Sequence, residues 1–120
     1  MANRRAGIVY IKVDGNQYDA KGNFEYNIGN NIREAIVGSD GVHGYKEMPQ
    51  VPFIEGAITD SIDLDLKSLQ QSDEATVTLE LGNGKTIMLE NAWYAGEGTA
   101  SSEEAEIPFR FEGLRGEELV

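Results

Sequence analysis

The residues best suited to chemistry in this sequence are a lysine and threonine behind a glycine, one histidine, two groups of aspartates and six scattered serines. Gly84-Lys85-Thr86 has the composition that closes a phosphate-binding loop, where a lysine and a hydroxyl meet phosphate and magnesium at a helix start. The first glycine of that pattern would fall on Leu79, however, and Thr86 leads into the strand-like Ile87-Met88-Leu89, so these residues read as a turn. His43 is the only histidine, which excludes a multi-histidine metal site; an acid-base role would need a precisely placed partner, and it reads as a surface loop histidine. Asp14, Asn16 and Asp19 sketch the start of a calcium loop, but Tyr18 and Asp19 stand where a third ligand and the required glycine belong. Asp60, Asp63 and Asp65 read as acids complementing the dipole at a helix start. Ser39, Ser61, Ser68, Ser72, Ser101 and Ser102 lack both a nucleophile elbow and a base. No catalytic residue, metal ligand or cofactor site is therefore expected, and the chain is not expected to be an enzyme.

The elements that would hold these residues are mostly strands. Gly7–Val13 alternates around Val9, Ile11 and Val13 and meets Asp14-Gly15, a dipeptide suited to a hairpin turn. Phe24, Tyr26 and Ile28 recur at every second position, and Ile32–Val37 is a further β-prone run. Residues 38–52, with three glycines and two prolines, predict a long projecting loop before a strand at Phe53–Thr59. Asp60-Ser61 offers capping oxygens ahead of Ile62, Leu64, Leu66 and Leu69, the one stretch with helical spacing. Thr76–Leu81, the turn Gly82–Lys85 and Thr86–Leu89 form a clear hairpin whose second arm continues through Ala92–Ala95. A polar loop, Gly96–Glu104, precedes a last strand at Glu106–Glu112. About seven strands and one short helix predict a mainly β chain: one antiparallel sandwich or barrel domain over residues 1–120, with flexible ends at 1–6 and 114–120.

Charge is the loudest compositional signal. The net charge is −11; residues 1–54 hold six acidic and six basic side chains, whereas residues 55–120 hold fifteen and four. Such a chain lacks the basic footprint that nucleic-acid binding needs. Acidity for solubility and a functional acidic face both remain open readings. The absence of cysteine fits a reducing compartment, and the apolar run behind Met-Ala-Asn-Arg-Arg is too short for a signal peptide or membrane span. A soluble, cytoplasmically made protein with no membrane anchor is expected.

One segment is left without a role, GYKEMPQVPFIEGAITD at residues 44–60. A loop that sets Tyr45, Met48, Val51 and Phe53 among prolines and glycines must pack on its own domain or be buried by a neighbour, and the neighbour is the better reading. The expected inter-subunit residues are Val42, His43, Tyr45, Lys46, Met48, Pro49, Val51 and Phe53.

At this segment the sequence becomes recognisable. GIVYIKVDG near the start, REAIVGSDGVHGYKEMPQVPFIEGAITD in the middle and TVTLELGNGKTIMLENAWYAG later resemble the tail tube proteins of Mu-like contractile-tailed phages, over roughly Gly7 to Gly113. The resemblance implies a β-sandwich with one flanking helix that assembles as six-fold rings, stacked into a hollow tube inside a contractile sheath. It further implies a tape-measure protein, a sheath protein, a baseplate and a tail terminator as partners, DNA as a transient passenger, and a place in the virion tail after assembly in the host cytoplasm. Type VI-like secretion tubes and contractile bacteriocins share that architecture. A monomeric β-sandwich that recognises a peptide through residues 45–53 is the rival reading.

Two physical points agree with a tube. Exposed strand edges join neighbours through backbone hydrogen bonds, and an acidic wall lets a polyanion slide where a basic one would trap it. Glu80, Glu90, Glu106 and Glu112 are the candidate lumen acids, because each occupies a strand position where an outward side chain is plausible.

Overall fold

The computed structural model describes residues 9–119, in which ten strands and one short helix follow one another along the chain. β1 (Tyr10–Val13) and β2 (Asn16–Tyr18) form the expected first hairpin. Its turn holds Asp14 at φ 50° and Gly15 at φ 88°, the left-handed pair that matches the twist of adjacent strands. The Gly7-Ile8 portion of the expected first strand lies outside the described residues.

Two sheets share one strand. β8 (Thr86–Tyr94) pairs along its first part with β7 (Ala75–Glu80), and β7 pairs with β1. At Asn91, where φ is 51°, β8 bends away, and Trp93 and Tyr94 pair instead with β9 (Glu106–Glu112). β9 continues to β6 (Phe53–Thr59) and then to β3 (Ala20–Asn27). The inner faces meet in one core, where Ile11, Val77, Leu79, Ile87 and Leu89 of the first sheet pack with Ile54, Ile58, Ile107, Phe109 and Phe111 of the second. Phe109 lies 4.9 Å from Phe111 and 5.8 Å from Phe24, ring centre to ring centre. Each fully buried side chain of this size contributes about 1.5–3 kcal/mol through removal from water.

Three expectations are corrected. Residues 38–52 do not form a loop: β4 (Ile32–Gly38) turns at Ser39-Asp40 and returns as β5 (Gly41–Met48), a ladder from Ile32 opposite Met48 to Gly38 opposite Gly41. A bulge between Ile36 and Val37 absorbs the odd residue, and Gly41 and Gly44 take positive φ within the strand, which is how a glycine-rich segment still pairs. The end of the chain is also ordered: β10 (Arg115–Leu119) pairs with β8 from Arg115 opposite Glu90 to Leu119 opposite Thr86. Residues 1–6 and 120 lie outside the description. Finally, α1 covers only Leu66–Gln70, and its N-cap is Asp65, whose carboxylate accepts the Ser68 N–H at 3.2 Å, in place of Asp60-Ser61. Ile62 is fully exposed and takes no part in the helix; Leu69 is its buried anchor.

Candidate assembly surfaces

The β4–β5 hairpin bonds to itself and to no other strand among the described residues. Opposite residues in an antiparallel pair share a face, so Ile32, Ile36 and Met48 lie on one side with Glu34 and Lys46 between them. The other side carries Arg33, Ala35, Tyr45 and Glu47, with Val37 and Val42 near the tip. Here Arg33 Nε stands 3.6 Å from Glu47 Oε1 and its guanidinium 4.9 Å over the Tyr45 ring, while Asn31 Nδ2 donates to Glu47 Oε2 at 2.9 Å. His43 Nε2 and Asp40 Oδ1 meet at 2.6 Å across the tip. Val42 is 73% exposed and Val37 68%, and Ile32, Ile36, Tyr45, Met48 and Val51 are exposed as well. Two strands alone are marginal in water, and a hairpin with apolar side chains on both faces gains stability only when something covers it.

Of the eight residues expected at this surface, Val42, His43, Tyr45, Lys46 and Met48 sit on β5, and Pro49 and Val51 on the return to the sheets. Phe53 belongs elsewhere: it opens β6 on the body of the sandwich, with the Arg110 guanidinium 4.5 Å over its ring. Sequence reading missed Ile32, Ile36 and Val37 as members of the same surface. Their alternation was visible, but nothing in it distinguished an exposed strand from a buried one.

A second surface is the margin of the first sheet, whose order is β2-β1-β7-β8 with β10 beyond β8, so that among the described residues β2 and β10 are both unpaired on their far sides. In the second sheet only β3 is free among the described residues; β9 is flanked by backbone bonds from Ala95 to Arg110 at 2.8 Å and between Ser101 and Glu106. The first sheet alone can continue through both margins.

The four candidate lumen acids are not brought together. Glu80 and Glu90 point outward from the first sheet, Glu106 and Glu112 outward from the second. Each meets a cation: Lys12 at 2.9 Å from Glu80, Lys21 at 3.7 Å from Glu106, Arg115 at 2.8 Å from Glu90 and 3.9 Å from Glu117, and Arg110 at 2.8 Å from Glu112 and 3.1 Å from Glu55. Glu90 holds the Arg115 guanidinium above its ordinary pKa, first through their hydrogen bond and then through charge. Glu118, on the same edge strand, raises Lys85 in the same way at 3.0 Å.

Eight of the acids without an ion pair lie in two connections. Asp60, Asp63, Asp65, Asp73 and Glu74 fall between β6 and β7, and Glu97, Glu103 and Glu104 between β8 and β9, none in an ion pair among the described residues. Backbone bonds from Asp60 to Ala105 at 2.8 Å and from Tyr94 to Ser72 at 3.1 Å hold the connections at one end of the molecule, joined by Gln70 Nε2 to the Gly98 carbonyl at 2.7 Å. The Ser68 N–H and hydroxyl hold the Asp65 carboxyl below its usual value. Burial, with the Asp65 and Asp14 charges behind it, pushes the Tyr18 hydroxyl up. No helix among the described residues is long and apolar enough to cross a membrane.

A family model described as phage tail tube protein matches residues 2–118. The chain is 30% identical over 95 residues to the tail tube protein of Escherichia phage Mu, covering 79% of this chain and 80% of that one. It is 28% identical over 103 residues to the Mu-like prophage FluMu tail tube protein of Haemophilus influenzae, covering 86% of each. Among solved structures, the fold is similar to the tube-terminating cap of the anti-feeding prophage, at TM-score 0.68, 12% identity and coverage of 100% and 93%. It is also similar to a chain of the extended sheath–tube complex of an extracellular contractile injection system, PVC, at TM-score 0.66, 12% identity and coverage of 98% and 91%.

Proposed function

Since the chain belongs to the phage tail tube protein family, a component of the virion tail, we propose that it is a structural subunit that polymerises as stacked hexameric rings into a hollow conduit for DNA inside a contractile sheath. The observation that carries this reading is the β4–β5 hairpin, which displays aliphatic and aromatic side chains on both faces and, among the described residues, pairs with no other strand. A neighbouring ring supplies the cover it lacks, through Val42, Tyr45 and Met48 together with Ile32, Ile36 and Val37. His43, Lys46, Pro49 and Val51 take part in that contact, and Phe53 supports the base.

Within a ring, the free margins β2 and β10 of one sheet support head-to-tail addition, a heterologous contact that closes when the rotation per subunit divides a full turn. The first sheet then forms the wall of the channel. Glu80 and Glu90 line it, and Glu106 and Glu112 face away from DNA. The ion pairs of Glu80 with Lys12 and of Glu90 and Glu117 with Arg115 leave that wall weakly negative locally, so it does not grip phosphates.

The remaining partners follow from the family: a tape-measure protein within the growing tube, a sheath around it, a baseplate that nucleates it and a terminator that ends it. The likeness to a tube chain from a sheath–tube complex supports the sheath. Assembly takes place in the host cytoplasm, and the chain's part in it is structural.

The experiment is electron microscopy and sedimentation of the purified chain over a range of concentration and salt. Mostly monomeric protein when dilute, with rings or tubes as it is concentrated, is expected. The net charge of −11 opposes association at low ionic strength and is screened above ~0.1 M salt. A fixed monomer under every condition overturns the reading and leaves the peptide-binding module in its place.

A further inference from the structure

The two feet of the β4–β5 hairpin both rest against the C-terminal segment or against each other, and we infer that Gly116 and Gly29 are positioning residues that set the angle at which the hairpin leaves the sheets. The first foot, Ile28-Gly29, passes so close to β10 that a Cβ placed on Gly116 would stand 2.8 Å from the Ile28 carbonyl oxygen and 3.0 Å from its Cα. The second foot, Pro52, accepts the Gly113 N–H at 3.1 Å on its carbonyl. The feet also touch each other, since a Cβ on Gly29 would meet the Pro52 ring at 2.9 Å.

These contacts matter because, among the described residues, no strand pairing links the hairpin to the body. Its direction is fixed at the base or not at all. The base in turn is fixed by β10, which is bonded to β8 along its length and tied by Arg115–Glu90 and Lys85–Glu118. A path of backbone contacts thus runs from β8 through β10 to the hairpin, with glycine at the two points where a side chain would force the parts asymmetrically apart. Gly116 is the cleaner of the two, because its φ is not positive and alanine suits its backbone, whereas Gly29 sits at φ 84°.

The leverage is large. Relieving the Gly116 contact to an ordinary separation moves one foot by about 0.7 Å against a partner strand ~4.8 Å away, and over ~33 Å of hairpin this displaces the tip by roughly 5 Å. Under the assembly proposed above, on which this consequence rests, β10 is also the margin to which the next subunit adds. Ring closure and presentation of the stacking hairpin then act on one strand, so a subunit docked on β10 steadies the hairpin for the following ring.

The chain has no cysteine, so Ser39→Cys at the tip and Thr76→Cys on β7 give unique spin-label sites. Double electron–electron resonance on labelled protein diluted into unlabelled protein measures the distance within one subunit. A narrow distribution is expected in this background, shifted by roughly 5 Å or broadened by Gly116→Ala, and broadened by Pro52→Ala, with circular dichroism unchanged. Unchanged distributions in both variants overturn the inference. So does faster amide exchange in β10 with an unmoved tip, because β10 would then be the part that yields. A displaced tip with normal tubes leaves the positioning role intact and removes the hairpin from ring stacking, which separates the two readings.

Discussion

Arg115 and Glu90 stand 2.8 Å apart, closing the edge strand β10 onto β8 from the outward face of the first sheet. On the same face Lys12 meets Glu80 at 2.9 Å, so both acids proposed to line the channel are paired with cations there. Passage of a polyanion through such a tube depends on the wall offering no net positive sites, and each pair is one substitution away from doing so.

Reversing the charge of these acids should therefore separate the two sheets. Glu90→Lys leaves Arg115 and a new cation side by side, and Glu80→Lys does the same with Lys12, in every subunit of the ring. Tubes of either variant are expected to hold double-stranded DNA at low salt and release it steeply as salt rises, as phosphate contacts do. Glu106→Lys and Glu112→Lys, on the opposite face, should assemble and release DNA normally. Retention by the second pair instead of the first would turn the subunit around.

Val42 is the most exposed large apolar residue on β5. Val42→Asp should change the stability of the isolated subunit by no more than about 0.5 kcal/mol, as surface substitutions do. In the stacked contact the same carboxylate would be buried without a partner, so tubes should fail to grow past the first ring. Thermal unfolding and sedimentation read the two effects separately; normal tubes, or a large loss of subunit stability, contradict the assignment.

How far these features were legible in the sequence depends on which forces wrote them. Thr76–Leu81 and Thr86–Leu89 were readable because one face is buried, and burial imposes a strict alternation that a turn at Gly82–Lys85 punctuates. Gly41–Met48 was not, because a strand exposed on both faces needs no alternation, and Gly41 and Gly44 carry the mark of a loop. Arg115–Leu119 was hidden for a related reason: its position comes from partners far away in sequence, Glu90 and Lys85, and from a backbone contact that only a glycine permits. The acids were counted correctly but not placed. Composition cannot tell that Glu80 and Glu106 face opposite sides of a sandwich.

Asp65 gives a pH test of the helix cap. Its folded pKa is lowered, so its contribution to stability is present above the ordinary aspartate value and is lost as pH falls through the folded one. Asp65→Asn keeps an acceptor for the Ser68 N–H but no longer titrates. Urea unfolding in steps below about pH 4 should show the parent losing stability faster than the variant. Parallel curves would mean that the cap does not depend on the carboxylate charge.

The core makes the complementary prediction to Val42. Phe109 is wholly buried, packed at tilted ring angles between Phe111 and Phe24 where the second sheet meets the first. Phe109→Ala removes that transfer energy and leaves a cavity, at a cost of about 3–5 kcal/mol. Against a total stability of about 5–15 kcal/mol, the variant stays marginal at best. With a urea dependence of about 1–3 kcal/mol per molar, the midpoint should fall by roughly 1–3 M. Assembly should fail together with the fold, unlike the surface variant, in which it fails alone. Phe109→Leu refills most of the space and should recover most of the midpoint and the tubes with it. If Phe109→Ala unfolds near the parent midpoint, the sandwich core is not centred on this aromatic cluster; if Phe109→Leu regains the fold without the tubes, β9 shapes an assembly contact directly.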